Sequence, residues 1–135
     1  MIYLDTTAKK LEIDLAGAVS ANQLQISCHF YDELPQSGPQ TTDPLATGKR
    51  AGKGGNTNSL SNSTTDATLV AAPVIQGIVR NIHTIFVYNA DTASATVIIK
   101  IDDGGTETIL VRRTLLTLQT LAYEHGVGWY YMSVT

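Results

Sequence analysis

Short runs of alternating apolar and polar residues recur along the chain, and no stretch has the 3.6-residue apolar period of an amphipathic helix. In residues 10–15, Leu11, Ile13 and Leu15 alternate with charged residues, as in a half-buried strand. Similar runs rich in Ile, Val, Thr and Tyr occupy residues 23–31, 67–71, 81–88, 94–101, 106–113, 121–125 and 129–134. About seven to nine strands are expected, which predicts an all-β protein, an antiparallel β-sandwich of jelly-roll-like type.

The runs at 94–101 and 106–113 flank an Asp-Asp-Gly-Gly turn and predict a central hairpin. With Asp103-Gly104 as the loop residues, Lys100 lies opposite Glu107, whereas a Gly104-Gly105 loop sets Asp102 against Glu107. We expect the first register, because like charges in directly opposed positions are destabilising.

In that register the hairpin is apolar on both faces, but the core of a two-layer protein needs only one of them. The surplus face carries Ile98, Ile109 and Val111. We therefore predict that these three residues pack against the long loop or another protein. Phe86 and Trp129 are expected in the core.

Residues 35–66 are rich in Gly, Ser, Thr and Asn and hold three of the four prolines. This composition predicts an extended polar loop, and loops of that length are usually functional or flexible. Its tip carries Lys49, Arg50 and Lys53, which could dock on an acidic protein surface or simply be solvated.

The 135 residues suffice for a single domain that buries a core without disulfides or metal. Nine basic against twelve acidic residues give a formal charge of -3, which argues against nucleic acid as a partner. The lone Cys28 is expected to be buried in a strand. No apolar run approaches the roughly 20 residues of a membrane span, and the first residues lack a secretion-signal pattern, so we expect a soluble protein without membrane partners.

No motif predicts catalysis, a cofactor or a metal. The Gly-rich stretch 48–55 departs from a phosphate-binding loop in spacing, and Gly54 stands where Ser or Thr is required. The histidines His29, His83 and His125 occur in no paired ligand motif, and no nucleophile-elbow pattern surrounds a serine. Asp102 and Asp103 fit a turn better than a calcium loop.

Four aromatic residues near the C-terminal end admit two interpretations. They could stack on a sugar, or they could be alternating core residues of a final strand, which is the interpretation we favour. The residues are Tyr123, Trp129, Tyr130 and Tyr131.

Several segments resemble small virion proteins of tailed bacteriophages. They are the opening MIYLDTTAKKLEIDLAGAV, the junction TDATLVAAP at 65–73, YNADTASATV at 88–97 and LAYEHGVGW at 121–129. The resemblance covers most of the chain outside residues 35–63, and the long central loop departs from it.

The resemblance implies a non-enzymatic capsid decoration or cement protein, made in the host cytoplasm and placed on the outer capsid surface. Its implied partners are the major capsid protein and further copies of itself. A tail, neck or receptor-binding component that contacts carbohydrate is the alternative. An enzyme is a third possibility, which would need a convergent acid, base or nucleophile that the sequence does not display.

Overall fold

The computed structural model describes residues 1–33 and 53–132. These residues form ten β-strands, one more than the upper end of the predicted seven to nine. Each predicted strand segment overlaps one of them, and the last segment, 129–134, lies within the described residues only as far as 132. The strands are β1 (Ile2–Leu4), β2 (Lys9–Leu15), β3 (Gln25–Glu33), β4 (Lys53–Leu60), β5 (Ala67–Val70), β6 (Val79–Tyr88), β7 (Ala95–Asp103), β8 (Thr106–Leu115), β9 (Thr120–Glu124) and β10 (Gly128–Met132).

The strands form two antiparallel sheets that pack face to face, which confirms the predicted β-sandwich; the jelly-roll arrangement stays a prediction. The six-stranded sheet has the order β10-β9-β6-β3-β4, and β1 pairs with the part of β6 that β9 leaves open. The four-stranded sheet has the order β5-β2-β7-β8, so the β7–β8 hairpin lies at an edge and not at the centre as expected.

The core consists of the inward residues of both sheets, and its largest members are fully buried aliphatic side chains. On β6, Ile85 and Val87 face the core, whereas Phe86 is 37% exposed on the outer face. The prediction of Phe86 in the core is therefore wrong. Trp129 is half-buried at the margin of the core, where its ring lies 5.0 Å from that of Tyr123.

The hairpin register is the one that the sequence argument rejected. Asp103 pairs with Thr106, so Gly104 and Gly105 form the loop, and both have φ in the left-handed region, at 62° and 99°. A primed two-residue turn requires that conformation at both positions, and glycine adopts it without steric cost. A bulge on β8 then shifts the pairing, and Val111 lies opposite Ile99 on the core side.

Like charges do face each other in this register, but each carboxylate has a lysine partner. Asp102 lies opposite Glu107, yet Lys10 approaches Asp102 at 3.3 Å and Lys100 approaches Glu107 at 2.8 Å. Asp102 also accepts a hydrogen bond from the Gly105 N–H at 2.6 Å. The turn geometry and the two lysines therefore outweigh the repulsion.

Strand β4 lies inside the segment predicted to be an extended loop, which corrects the end of that loop. Gly55 of β4 leaves room for Phe30 of β3, which lies directly opposite. A Cβ atom at this position would come within 2.4 Å of the Phe30 ring. The Arg80 guanidinium lies over the same ring, 4.2 Å from its centroid. Arg80 donates two hydrogen bonds to Asp32, of 2.6 and 2.8 Å.

Gly55→Val should therefore weaken the β3–β4 pair. The added side chain would displace Phe30 from Gly55 and disturb its contact with Arg80, a clash of the kind that costs about 1–3 kcal/mol. Amide hydrogen exchange should show faster exchange in β4 than in the intact protein. The control is Gly17→Val, because no atom lies within 4 Å of a Cβ atom at Gly17. Equal exchange in β4 of the Gly55 variant and the intact protein would contradict this packing.

A buried carboxylate joins two loops at one end of the sandwich. Asp91 is 2% exposed and accepts hydrogen bonds from the backbone N–H groups of Ser20, Ala21, Asn22 and Thr92, at 2.7 to 3.0 Å. These hydrogen bonds lower the pKa of Asp91 from 3.8 to about 2.

Asp91 should make the fold acid-sensitive in a defined window. The pKa of Asp91 is lower in the folded than in the unfolded chain. Its contribution to the free energy of unfolding is therefore complete above about pH 4 and is lost as the pH falls through about 2. Asp91→Asn should reduce stability at pH 7 and flatten the acid-unfolding profile, as measured by urea denaturation at a series of pH values. If Asp91→Asn is less stable than the intact protein by the same amount at pH 7 and at pH 2, this assignment is contradicted.

Candidate interaction surface

The outer face of the six-stranded sheet carries aligned aromatic and aliphatic side chains. The strand register places outward residues in rows that cross the sheet. One row is Asn58, Ser27, Phe86, Ala122 and Tyr130. The adjacent row is Leu60, Gln25, Tyr88, Thr120 and Met132.

Five of these residues define what we call the outer apolar surface: Leu60, Phe86, Tyr88, Tyr130 and Met132. Leu60 is 57%, Phe86 37%, Tyr130 37% and Met132 45% exposed, and Tyr88 is half-buried. Ala122 is fully buried on this same face between Phe86 and Tyr130. Apolar residues that adjoin in this way mark interaction sites more often than apolar residues scattered singly.

One end of the outer apolar surface forms a depression of about 460 Å³. Leu60, Phe86 and Tyr88 supply its apolar wall. Ile26 and a set of amide and hydroxyl groups complete the lining, which carries no charged side chain among the described residues. The amides and hydroxyls belong to Gln25, Ser27, Asn58 and Ser59. Aromatic faces beside amide groups can contact an uncharged ligand through stacking and hydrogen bonds.

The predicted interaction residues do not form one surface. Lys49 and Arg50 lie outside the described residues, and Lys53 is the first residue of β4. Ile98 is half-buried and Ile109 is 57% exposed on the outer face of the four-stranded sheet, but Val111 is buried in the core. The bulge on β8 explains this separation, because it moves Val111 to the opposite face from Ile109.

The outer face of the four-stranded sheet is dominated by charge. Lys100 is 5% exposed, and its ammonium lies 2.7 Å from Asp66, 2.8 Å from Glu107 and 3.7 Å from Asp14. Burial opposes the charge on Lys100, but these hydrogen bonds and the charge of Asp14 outweigh it and raise the pKa of Lys100. Three carboxylates on this face thus share the single ammonium of Lys100.

A group of carboxylates beside Lys100 has the spacing of a cation site. Oxygens of Glu12, Asp66 and Glu107 lie within 4.8 Å of one another. The ammonium of Lys100 already binds two of them, and Lys10 contacts Glu12 at 2.6 Å. We assign the group to the packing of the sheet, because lysine side chains supply its positive charge.

The three histidines, predicted to be unrelated, lie together on the outer face of the six-stranded sheet. The ring centroids of His83 and His125 are 5.3 Å apart, and those of His29 and His83 are 6.2 Å apart. A bulge in β6 opposite His29 and Phe30 turns His83 outward, where strict alternation would turn it inward. No short motif could signal this cluster, because each histidine comes from a different strand or turn.

Two further predictions concern side chains near the core. Cys28 is buried as expected, and burial raises the pKa of its thiol to about 12. Of the C-terminal aromatic residues, Tyr123 is 3% exposed and Trp129 packs against the core, whereas Tyr130 and Tyr131 are exposed. The favoured core interpretation thus holds for two of the four.

Among the residues that the structure describes, no helix has the length and apolar character needed to cross a membrane. Comparisons with models of known protein families, with curated proteins and with solved structures found no match.

Proposed function

We propose that the protein is a non-enzymatic structural component of tailed-bacteriophage particles, a decoration or cement protein that binds and stabilises the major capsid shell from outside. The outer apolar surface is the observation that carries this proposal. Burying its exposed rings and aliphatic chains against a partner releases water from them, which favours association. The resemblance of the sequence to small virion proteins supplies the partner, the major capsid protein.

The two faces of the sandwich differ in what they offer a protein partner. The charged face around Lys100 holds three carboxylates on one ammonium, so docking there would require partial desolvation of several charges. Docking on the outer apolar surface would not require desolvation of these charges. Repetition of this modest contact over a shell, together with self-association, would give strong total binding from weak single contacts.

Shell binding should depend on the outer apolar surface and not on the opposite sheet. We would incubate purified protein with expanded shells that lack it and measure co-sedimentation. Phe86→Ser should reduce shell binding by about tenfold or more, because loss of a central hot-spot residue costs about 2 kcal/mol or more and about 1.4 kcal/mol is tenfold in affinity. Ile109→Ser, which removes a more exposed apolar residue (57% against 37%) from the other sheet, should bind as the intact chain does.

A carbohydrate-binding tail, neck or receptor-binding component is the second candidate. The depression beside Phe86 and Tyr88 favours it, because aromatic rings and uncharged amides suit a neutral glycan. Binding to tails but not shells, together with glycan-array signals that Phe86→Ser removes, would replace the cement proposal with this one.

A further inference from the structure

Strand β4 ends the six-stranded sheet with an edge that pairs with no strand among residues 1–33 and 53–132. On its other side β4 pairs with β3 along its whole length, from Lys53 to Leu60, without a register shift. A sheet edge presents unpaired backbone N–H and C=O groups, which can pair with another chain unless something prevents it. Residues 54–60 contain no proline, no charged residue and no bulge that would prevent it.

The other edges of the sandwich carry features that oppose pairing. Strand β8 has a bulge and the exposed residues Arg112 and Arg113. The hydroxyl of Tyr131 also donates to the Thr114 carbonyl oxygen of β8 at 3.2 Å. Strand β5 has four residues and a register shift in its pairing with β2, and β10 has five residues in the described part of the chain. Since short strands, bulges and charged side chains all oppose edge-to-edge pairing, the eight-residue β4 is the edge best able to accept a strand.

Symmetry restricts how β4 can pair with β4 of a second copy. A two-fold axis perpendicular to the sheet sets the two strands antiparallel and keeps both outer faces on one side. Directly opposed residues of an antiparallel pair point to the same side of the sheet, so an outer residue must face an outer residue. The outer residues of β4 are Gly54, Asn56, Asn58 and Leu60. Among the registers that this rule allows, the one centred on Thr57 pairs all seven residues from 54 to 60.

In that register the opposed side chains are compatible in size and chemistry. Asn56 would lie opposite Asn58 of the second copy, where each amide offers donors and an acceptor to the other. Thr57 would lie opposite its own counterpart, a pair that stabilises antiparallel sheets. Leu60, which is 57% exposed, would lie opposite Gly54, which has no side chain to obstruct it. Because residues 54–60 carry no charge, two identical edges approach without repulsion, which favours a second copy of the chain as the partner.

We propose that β4 pairs with β4 of a second copy in antiparallel orientation, centred on Thr57, and thereby joins two six-stranded sheets into one. A single pair of short strands is a small interface, so the dimer forms reversibly. The proposed function includes self-association without locating it. This inference locates it on β4 and holds whether or not the protein binds shells.

Sedimentation velocity of the intact protein over a series of concentrations tests the dimer, with amide hydrogen exchange to locate it. A dimer should form as the concentration rises, and amides of β4 should become protected while those of β8 do not.

Two double variants test the register. Asn56→Lys with Asn58→Lys sets two pairs of lysines directly opposite each other, which should raise the dimer dissociation constant by about tenfold or more. Asn56→Lys with Asn58→Glu instead sets lysine opposite glutamate and should dimerise at least as tightly as the intact protein. A register centred on Asn56 would bring the two lysines of this second variant together and weaken the dimer.

The control is Thr106→Lys with Thr108→Lys, which adds the same charge at two exposed residues of β8 and should leave the dissociation constant within about twofold. Circular dichroism verifies that each variant is folded. Three results would each overturn the proposal: an intact protein that stays monomeric, a dimer that the lysine–lysine variant leaves equally tight, or a lysine–glutamate variant that is as weak as the lysine–lysine one. Protection of β4 only in the presence of shells would assign the edge to a strand of the shell protein instead. Shell co-sedimentation of the monomeric lysine–lysine variant measures the proposed function separately.

Discussion

Replacement of Ile85 by alanine should lower the free energy of unfolding by about 2–5 kcal/mol. Ile85 is fully buried at the centre of β6, between Cys28 of β3 and Tyr123 of β9. Truncation leaves a cavity there, and the surrounding β-sheet can only partly collapse to fill it. Urea denaturation followed by fluorescence of Trp129, the single tryptophan, provides the measurement.

Phe86→Ala is the matched control for Ile85→Ala. Phe86 is the next residue on the same strand, but its side chain lies on the outer face and is 37% exposed. Its loss should cost about 1 kcal/mol, in the range of an ordinary partly exposed substitution. A larger loss for Phe86 than for Ile85 would mean that the two faces of β6 are assigned the wrong way round.

Replacement of Lys100 by alanine should be the most damaging change on the charged face. It leaves Asp14, Asp66 and Glu107 close together without their shared cation. Loss of one partner from a fully buried ion pair costs about 3–5 kcal/mol. Because the side chains of Asp66 and Glu107 are 40% and 48% exposed, water screens them and we expect about 2 kcal/mol.

Two variants separate the charge of Lys100 from its packing. Lys100→Met keeps much of the aliphatic chain and should lose nearly as much stability as Lys100→Ala if the ion pairs dominate. Lys10→Ala removes a lysine whose side chain is 36% exposed and should cost at most about 1 kcal/mol. A neutral effect of Lys100→Met in urea denaturation would show that the ammonium contributes nothing to stability.

Alternating hydrophobicity predicted the strands well, because one buried face per strand leaves a period of two in the sequence. The segment at 10–15 became β2, with Leu11, Ile13 and Leu15 buried. Strand β4 was not predicted, because its own Gly, Asn and Ser content does not indicate a strand. It is stabilised by pairing with β3 and by the Phe30 ring, which packs against Gly55.

The hairpin register was wrong for a different reason. Pair chemistry across two strands predicted a register that keeps Asp102 and Glu107 apart, because like charges in opposed positions are destabilising. The missing information was the third strand, because β2 pairs with β7 and places Lys10 directly opposite Asp102, 3.3 Å from its carboxylate. Predicting such a contact requires the order of strands in the sheet.

The candidate surfaces were harder to predict than the strands. A bulge in β6 turned His83 outward, and another in β8 turned Val111 inward, and neither bulge has a signature in the sequence. The aligned apolar residues therefore lie on the outer face of the six-stranded sheet, whereas on the hairpin face that the sequence predicted Ile109 lies among the ion pairs of Lys100.

Electron cryo-microscopy of expanded capsid shells incubated with the intact protein tests the central proposal most directly. The proposal predicts density for the sandwich on the outside of the shell, with Phe86, Tyr130 and Met132 directed toward the major capsid protein. Shells that remain bare at saturating protein concentration, or density that contacts the shell through the charged face around Lys100, would contradict it.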